Sequence, residues 1–118
     1  MKTQGFKDLI VWQKSYLLAL KMYKFSEAFP RNELYGLTSQ LRRCVVSVPS
    51  NIAEGYGRKH SNEYRQILSI AYGSLCELET QYNLAIDLKY SEKSQEIDGL
   101  MKEVGCMLYR MLNPINHT

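Results

Sequence analysis

Leu37, Leu41, Cys44, Val48 and Ile52 recur at three- and four-residue spacing, and the rhythm runs straight through Pro49. That spacing lays apolar side chains along one face of an α-helix. A proline inside a helix removes one backbone hydrogen bond and crowds the carbonyl four residues back, here that of Val45. The stripe stays in phase on both sides of Pro49, which predicts one kinked helix from about Glu33 to Arg58 rather than two helices. Gly55 and Gly57 weaken its end, and "GRKHSN" makes the turn that follows.

Three further segments carry the same period. From about Asp8 to Ala28, Leu9, Trp12, Tyr16, Ala19 and Tyr23 form a stripe that Leu18 and Leu20 widen. Pro30 closes that segment, because the residue before a proline is pushed out of helical geometry. From Ser61 or Asn62, read as the cap, to about Leu88, the stripe is Ile67, Leu68, Ala71, Leu75, Leu78, Tyr82 and Ala85. A capping box on Ser61 is incomplete, since Tyr64 stands where Glu or Gln belongs. The last segment starts near Ser91 and carries Ile97, Leu100, Met101, Val104, Leu108 and Met111 to Asn113, with Pro114 closing it. No strand pattern competes. Four helices with short links predict an all-α, antiparallel up-down-up-down four-helix bundle with a Pro-kinked second helix. At 118 residues the chain fits a single domain with a thin core, a size at which many domains lean on oligomerisation.

On a wheel at about 100° per residue, the second helix has a second largely apolar strip of Arg42, Val46, Pro49, Ala53 and Gly57. One strip suits the core of the bundle, and the other predicts a contact with a second subunit at Val46, Pro49, Ala53 and Gly57. Equal rise along antiparallel second and third helices brings Arg42 and Arg43 level with Glu77 and Glu79, which predicts structural ion pairs among them.

Charge divides unevenly along the chain. Residues 1–60 carry a net +6 and residues 61–118 a net −3, within the overall +3. Such asymmetry suits an anionic partner for the first half, or head-to-tail self-association. Cys44, Cys76 and Cys106 are odd in number and far apart, which reads as three small buried residues in a reducing cytoplasm. "MKTQGFKDLI" starts polar, so no signal peptide is expected, and no apolar run approaches the ~20 residues of a membrane helix.

One combination of motifs goes beyond periodicity. "VW", "YGLTSQLRR", "SVPSNIAEG" and "GSLCELET" occur together. From Phe6 to about Leu112 the chain resembles the four-helix-bundle proteins encoded in intervening sequences of bacterial large-subunit ribosomal RNA genes. Cys44 stands where that family would have alanine. The chain is also distantly similar to the accessory protein of diversity-generating retroelements, a pentameric bundle that works with a reverse transcriptase and nucleic acid. The resemblance implies a homo-oligomer, a pentameric ring, without established enzymatic activity.

Catalytic and metal chemistry find little support in the residues. His60 and His117 stand far apart, and neither has a cysteine or carboxylate at zinc-ligand spacing, so no metal or cofactor is expected. Ser47 and Ser50 lie near Glu54 with no histidine close in sequence. Glu77 and Glu79 are two apart and point to different faces. "EGYGRK" lacks the spacing of a phosphate loop and follows a helix, not a strand. Basic residues remain. Lys7, Lys14, Lys21 and Lys24 line the first helix, and Arg58, Lys59 and Arg65 gather at the turn between the second and third, near Tyr56 and Tyr64. Cations attract phosphates and aromatic rings stack on unpaired bases. A lysine stripe is more often a solvated face, and tyrosines at helical spacing more often pack. With the charge split and the resemblance, the expectation is a non-catalytic homo-oligomer that binds RNA or DNA through Lys14, Lys21, Lys24, Arg58, Lys59 and Arg65. The competing expectation is a scaffold with a protein partner, whose charge asymmetry serves ring assembly.

Overall fold

The computed structural model describes residues 5–114. Four helices carry the fold: α1 (Ile10–Ser26), α2 (Leu37–Gly57), α3 (Tyr64–Asp87) and α4 (Gln95–Leu112). Single 3-10 turns at Gly5–Asp8 and Arg31–Glu33 precede α1 and α2. No strand forms among the described residues. Together the helices make a short rod of 45 × 27 × 27 Å.

Contacts descend along one helix as they climb the next. Ser47 meets Ser74 at 2.8 Å and Cys44 meets Glu77 at 3.6 Å, so α3 runs back along α2. Lys14 pairs with Glu103 and Lys21 with Glu96, so α4 runs back along α1. The rings of Tyr72 and Tyr109 lie 6.5 Å apart, while Tyr82 reaches Ser94 at the start of α4. This pattern fits an up-down-up-down course. All four helices feed one core, in which Leu18, Leu41, Val45, Val48, Leu78 and Leu108 are wholly buried.

α2 continues unbroken through Pro49, whose ring is itself buried. Its two glycines have different circumstances. A Cβ on Gly55 would lie 3.2 Å from Cδ2 of buried Leu68, so the bare backbone lets α2 and α3 close up. Gly57 faces open space.

The helix starts differ from the sequence reading, each for a local reason. α2 begins at Leu37, not Glu33, because Gly36 (φ −113°, ψ −111°) interrupts the helical path. Glu33 instead caps from outside: its Oε1 accepts the Leu37 N–H at 3.0 Å and its Oε2 accepts the Tyr90 hydroxyl at 2.8 Å. α3 begins at Tyr64, and neither Ser61 nor Asn62 is its cap. The Ser61 hydroxyl donates to the Arg58 carbonyl at 2.8 Å and accepts the Glu63 N–H at 3.3 Å, which closes the turn. α4 is capped by Ser94, which accepts the Ile97 N–H at 3.2 Å. Ser91 does not cap it; its hydroxyl donates to the Phe25 carbonyl at 2.9 Å and ties the loop to α1.

Glu33 gives the fold an acid-sensitive joint. The Leu37 N–H first, and the Tyr90 hydroxyl second, hold its carboxyl below the ordinary value of 4.5. A carboxyl lowered in the folded state stabilises above its unfolded value and loses that contribution as pH falls through the folded one. Glu33→Gln is therefore expected to flatten the decline in thermal midpoint below about pH 4.5. Parallel midpoint-against-pH curves for the two proteins would remove Glu33 from the acid response.

Candidate functional site

The cations of the first half are not one free stripe. Lys14 Nζ lies 3.2 Å from Glu103 and Lys21 Nζ 3.3 Å from Glu96, so α4 supplies the acids that α1 lacks. Arg58 pairs with Glu63 at 3.1 Å and Glu54 at 3.7 Å. Exposed pairs of this kind contribute only about 0.2–1 kcal/mol to stability. Their larger consequence is that these three cations already have counter-charges.

Lys24, Lys59 and Arg65 have none among the described residues. Lys24 is exposed and makes no ion pair among the described residues. Lys59 lies over the Tyr56 ring at 4.5 Å. Arg65 donates to the Leu112 carbonyl, placing its charge at the negative end of α4. Antiparallel packing brings Lys59, Arg65 and the last turn of α4 to one end of the rod, as the turn between α2 and α3 suggests.

The predicted pairing of Arg42 and Arg43 with Glu77 and Glu79 does not occur. Arg42 turns to α1, where its Nε donates to Ser26 Oγ at 2.8 Å, its Nη2 donates to the Tyr23 carbonyl at 3.2 Å, and its guanidinium lies 4.7 Å above the Tyr23 ring. Arg43 donates to Ser39 Oγ at 3.3 Å. The residue that faces Glu77 is Cys44, whose thiol pKa is pushed up mainly by burial. Cys44 is half-buried while Cys76 and Cys106 are exposed, contrary to three buried thiols.

The proposed subunit strip is divided as well. Val46 is 42% exposed and Gly57 is exposed, but Ala53 is half-buried and Pro49 is buried within its own protomer. A wider apolar surface lies on α1, where Ile10, Tyr16, Leu17 and Leu20 face outward.

The serine cluster serves packing. Ser47 bonds Ser74, and Asn51 Nδ2 donates to both the carbonyl and the hydroxyl of Ser47. Ser50 is exposed, and Glu54 belongs to Arg58. His60 is exposed, and His117 lies outside the described residues.

Several grooves mark the surface of the described residues. One of about 650 Å³ between α3 and α4 is lined by Tyr72, Tyr109, Cys76, Cys106, Lys102 and Arg110 among others. It mixes charges, since Lys93 pairs with Asp98 inside it and Glu79 lines it too. The Lys93 hydrogen bond holds the Asp98 carboxyl below its ordinary value. Another groove, about 570 Å³, lies where the end of α1 meets the start of α2, between Tyr23, Leu34, Tyr35, Arg42, Arg43 and Val46. Sequence reasoning missed this one. The only available signal was Tyr35, an aromatic residue beside Gly36 that belongs to no stripe.

Among helices of the described residues, none is long and apolar enough to cross a membrane. No curated protein matches the chain. The bundle and the motifs that run along its first three helices have a counterpart in one family: residues 7–110 match the model described as 23S rRNA-intervening sequence protein, and the chain belongs to that family.

Proposed function

We propose that the protein is a non-catalytic bundle that assembles with copies of itself, as a pentameric ring, and binds RNA or DNA through the unpaired cations of its first half. One observation carries the nucleic-acid part. Lys24, Arg31, Arg42, Arg43 and Lys59 have no carboxylate partner among the described residues, although they lie in the half with a net +6. The family description, which names 23S rRNA, supports a nucleic-acid setting. Lys14, Lys21 and Arg58 are left as minor contributors, because their charge is matched within the protomer. Self-assembly is supported by the outward Tyr16, Leu17 and Leu20 of α1 and by the exposed Val46 of α2. A ring would repeat the cationic surface, and repeated weak contacts gain by avidity.

The second reading, a scaffold for a protein partner, draws on the same outward apolar residues. Charge reversal at Lys14 and Lys21 does not separate the two readings, since it also breaks the protomer's own pairs with α4. Solution mass with the absorbance ratio of the purified protein does. The expected result is a multiple of 13.7 kDa with nucleic acid retained at low salt. Binding should weaken with a log–log salt slope of about −0.7 per contacted phosphate on single strands. A monomer that neither retains nor retards nucleic acid at low salt would sink the proposal. An oligomer indifferent to nucleic acid would favour the scaffold.

A further inference from the structure

We infer that the corner where α1 gives way to α2 is a binding site for single-stranded nucleic acid, with Tyr35 as a stacking platform and Arg31, Arg42 and Arg43 facing phosphates. The inference rests on the nucleic-acid reading above and assigns it a place.

Tyr35 is the starting point. It is 93% exposed, where tyrosine commonly buries most of its ring. No ring contact or hydrogen bond occupies its side chain among the described residues. The groove beside it, about 570 Å³, shares Leu34, Thr38 and Arg42 with a neighbouring one of about 500 Å³ that extends to Arg31 and Glu27. The two form one shallow channel around the corner.

The charge in this channel is one-sided. Three guanidiniums line it against the single carboxylate of Glu27. Glu33 stands near, but its two oxygens are turned to the Leu37 N–H and the Tyr90 hydroxyl. None of the three arginines forms an ion pair among the described residues. Arg42 is held in place by neutral acceptors on Ser26 and Tyr23, so it is fixed and still lacks a counter-charge. A positioned guanidinium without a carboxylate is suited to a phosphate. Leu34 and Val46, 47% and 42% exposed, offer an apolar floor for bases or ribose.

Those features select an unpaired strand. A free aromatic face gains most from a base that can leave its own stack, which a duplex does not offer. The acidic half of a second copy is a weaker occupant. Four of its eight carboxylates, those of Glu96, Glu103, Asp98 and Glu63, are already paired with Lys21, Lys14, Lys93 and Arg58.

The test uses the full chain and a fluorescein-labelled, mixed-sequence RNA of about 15 nucleotides, single-stranded or annealed to its complement, read by anisotropy across a salt series. Tyr35→Ala should weaken single-strand binding by about 5- to 100-fold, the effect of losing one stacked base, and change duplex binding little. Tyr35→Trp should retain single-strand binding. Arg31→Gln with Arg43→Gln should reduce the salt slope by about 1.4, two phosphates' worth. Lys14→Gln, whose charge is matched by Glu103, should leave the slope unchanged. Wild-type binding that survives Tyr35→Ala and the double arginine variant undiminished overturns this site while the broader reading stands. Absence of wild-type binding at low salt overturns both. A fall in solution mass for Tyr35→Ala would instead make the corner a contact between copies, and that also overturns the inference.

Discussion

Tyr82→Ala is expected to lower the unfolding free energy by about 3–5 kcal/mol, the cost of truncating a large buried aromatic. Tyr82 is the largest of the fully buried side chains, 1% exposed, and its ring lies 5.0 Å from that of Phe25 in α1. Its hydroxyl does a second job. It accepts the Ser94 N–H at 2.8 Å and donates to the Ser94 carbonyl at 3.2 Å, fixing the residue that caps α4. One side chain of α3 thus packs on α1 and sets where α4 begins. Tyr82→Phe separates the two roles: it retains the ring and leaves both Ser94 groups without that partner. Its expected cost is about 1–3 kcal/mol, the desolvation penalty of unpaired polar groups. Against a total of about 5–15 kcal/mol for a domain, the alanine variant should be marginal at 37 °C. Urea unfolding of the three proteins checks this. If Tyr82→Phe equals wild type within error, water replaces the hydroxyl and Tyr82 only fills space.

How much of this could be read from the sequence varies helix by helix. In α3 every stripe residue from Ile67 to Ala85 is buried, because polar residues on the opposite side leave one possible inward face. α4 is nearly as clear, with Leu112 buried where Met111 was expected and Met111 half-buried. Pro49 does not break α2, since the apolar rhythm on both sides outweighs a single lost hydrogen bond, but its burial takes it out of the expected subunit strip. The caps were harder. Glu33 and Ser91 bond to partners that only the folded chain brings near, 57 and 66 residues away in sequence.

The site was less legible for the same reason. The acids that match Lys14 and Lys21 lie on α4, with Glu103 89 residues from Lys14. For Arg42, the level along the helix was right and the rotation was wrong. Cys44 does stand opposite Glu77, but Arg42, two residues earlier, points about 200° around the helix from it and meets α1. Tyr35 belongs to no repeating pattern, so neither its exposure nor its arginine neighbours could be anticipated from spacing.

α1 is where the sequence was most ambiguous, and there two leucines two residues apart should behave oppositely. Leu18→Ala is expected to cost about 2–5 kcal/mol, because it empties a fully packed position and leaves a cavity. Leu20→Ala should stay within about 0.5 kcal/mol in the isolated protomer, as surface substitutions do. Leu18 is 0% exposed and Leu20 56%. The helix is apolar nearly all round, so Leu9, Trp12, Tyr16, Ala19 and Tyr23 look like its inner stripe. The buried line is instead Val11, Ser15, Leu18, Met22 and Ser26. Two small hydroxyl residues occupy it, and both satisfy themselves locally: Ser15 donates to the Trp12 carbonyl at 3.0 Å and Ser26 to the Tyr23 carbonyl at 3.1 Å. A hydroxyl that bonds to its own helix can enter a core without an unpaired donor, which hides the inner face from any reading that scores polarity alone. Leu9, Trp12 and Ala19 of the expected stripe are half-buried at the edge of the core, so the stripe is rotated rather than lost. Tyr16 and Leu20 remain outward, and a second copy is the proposed cover for them. Denaturation at two protein concentrations separates the cases. A Leu20→Ala cost that grows with concentration places Leu20 between copies. A large cost that ignores concentration would mean that α1 is rotated from the face described, and Leu18→Ala would then be the mild variant.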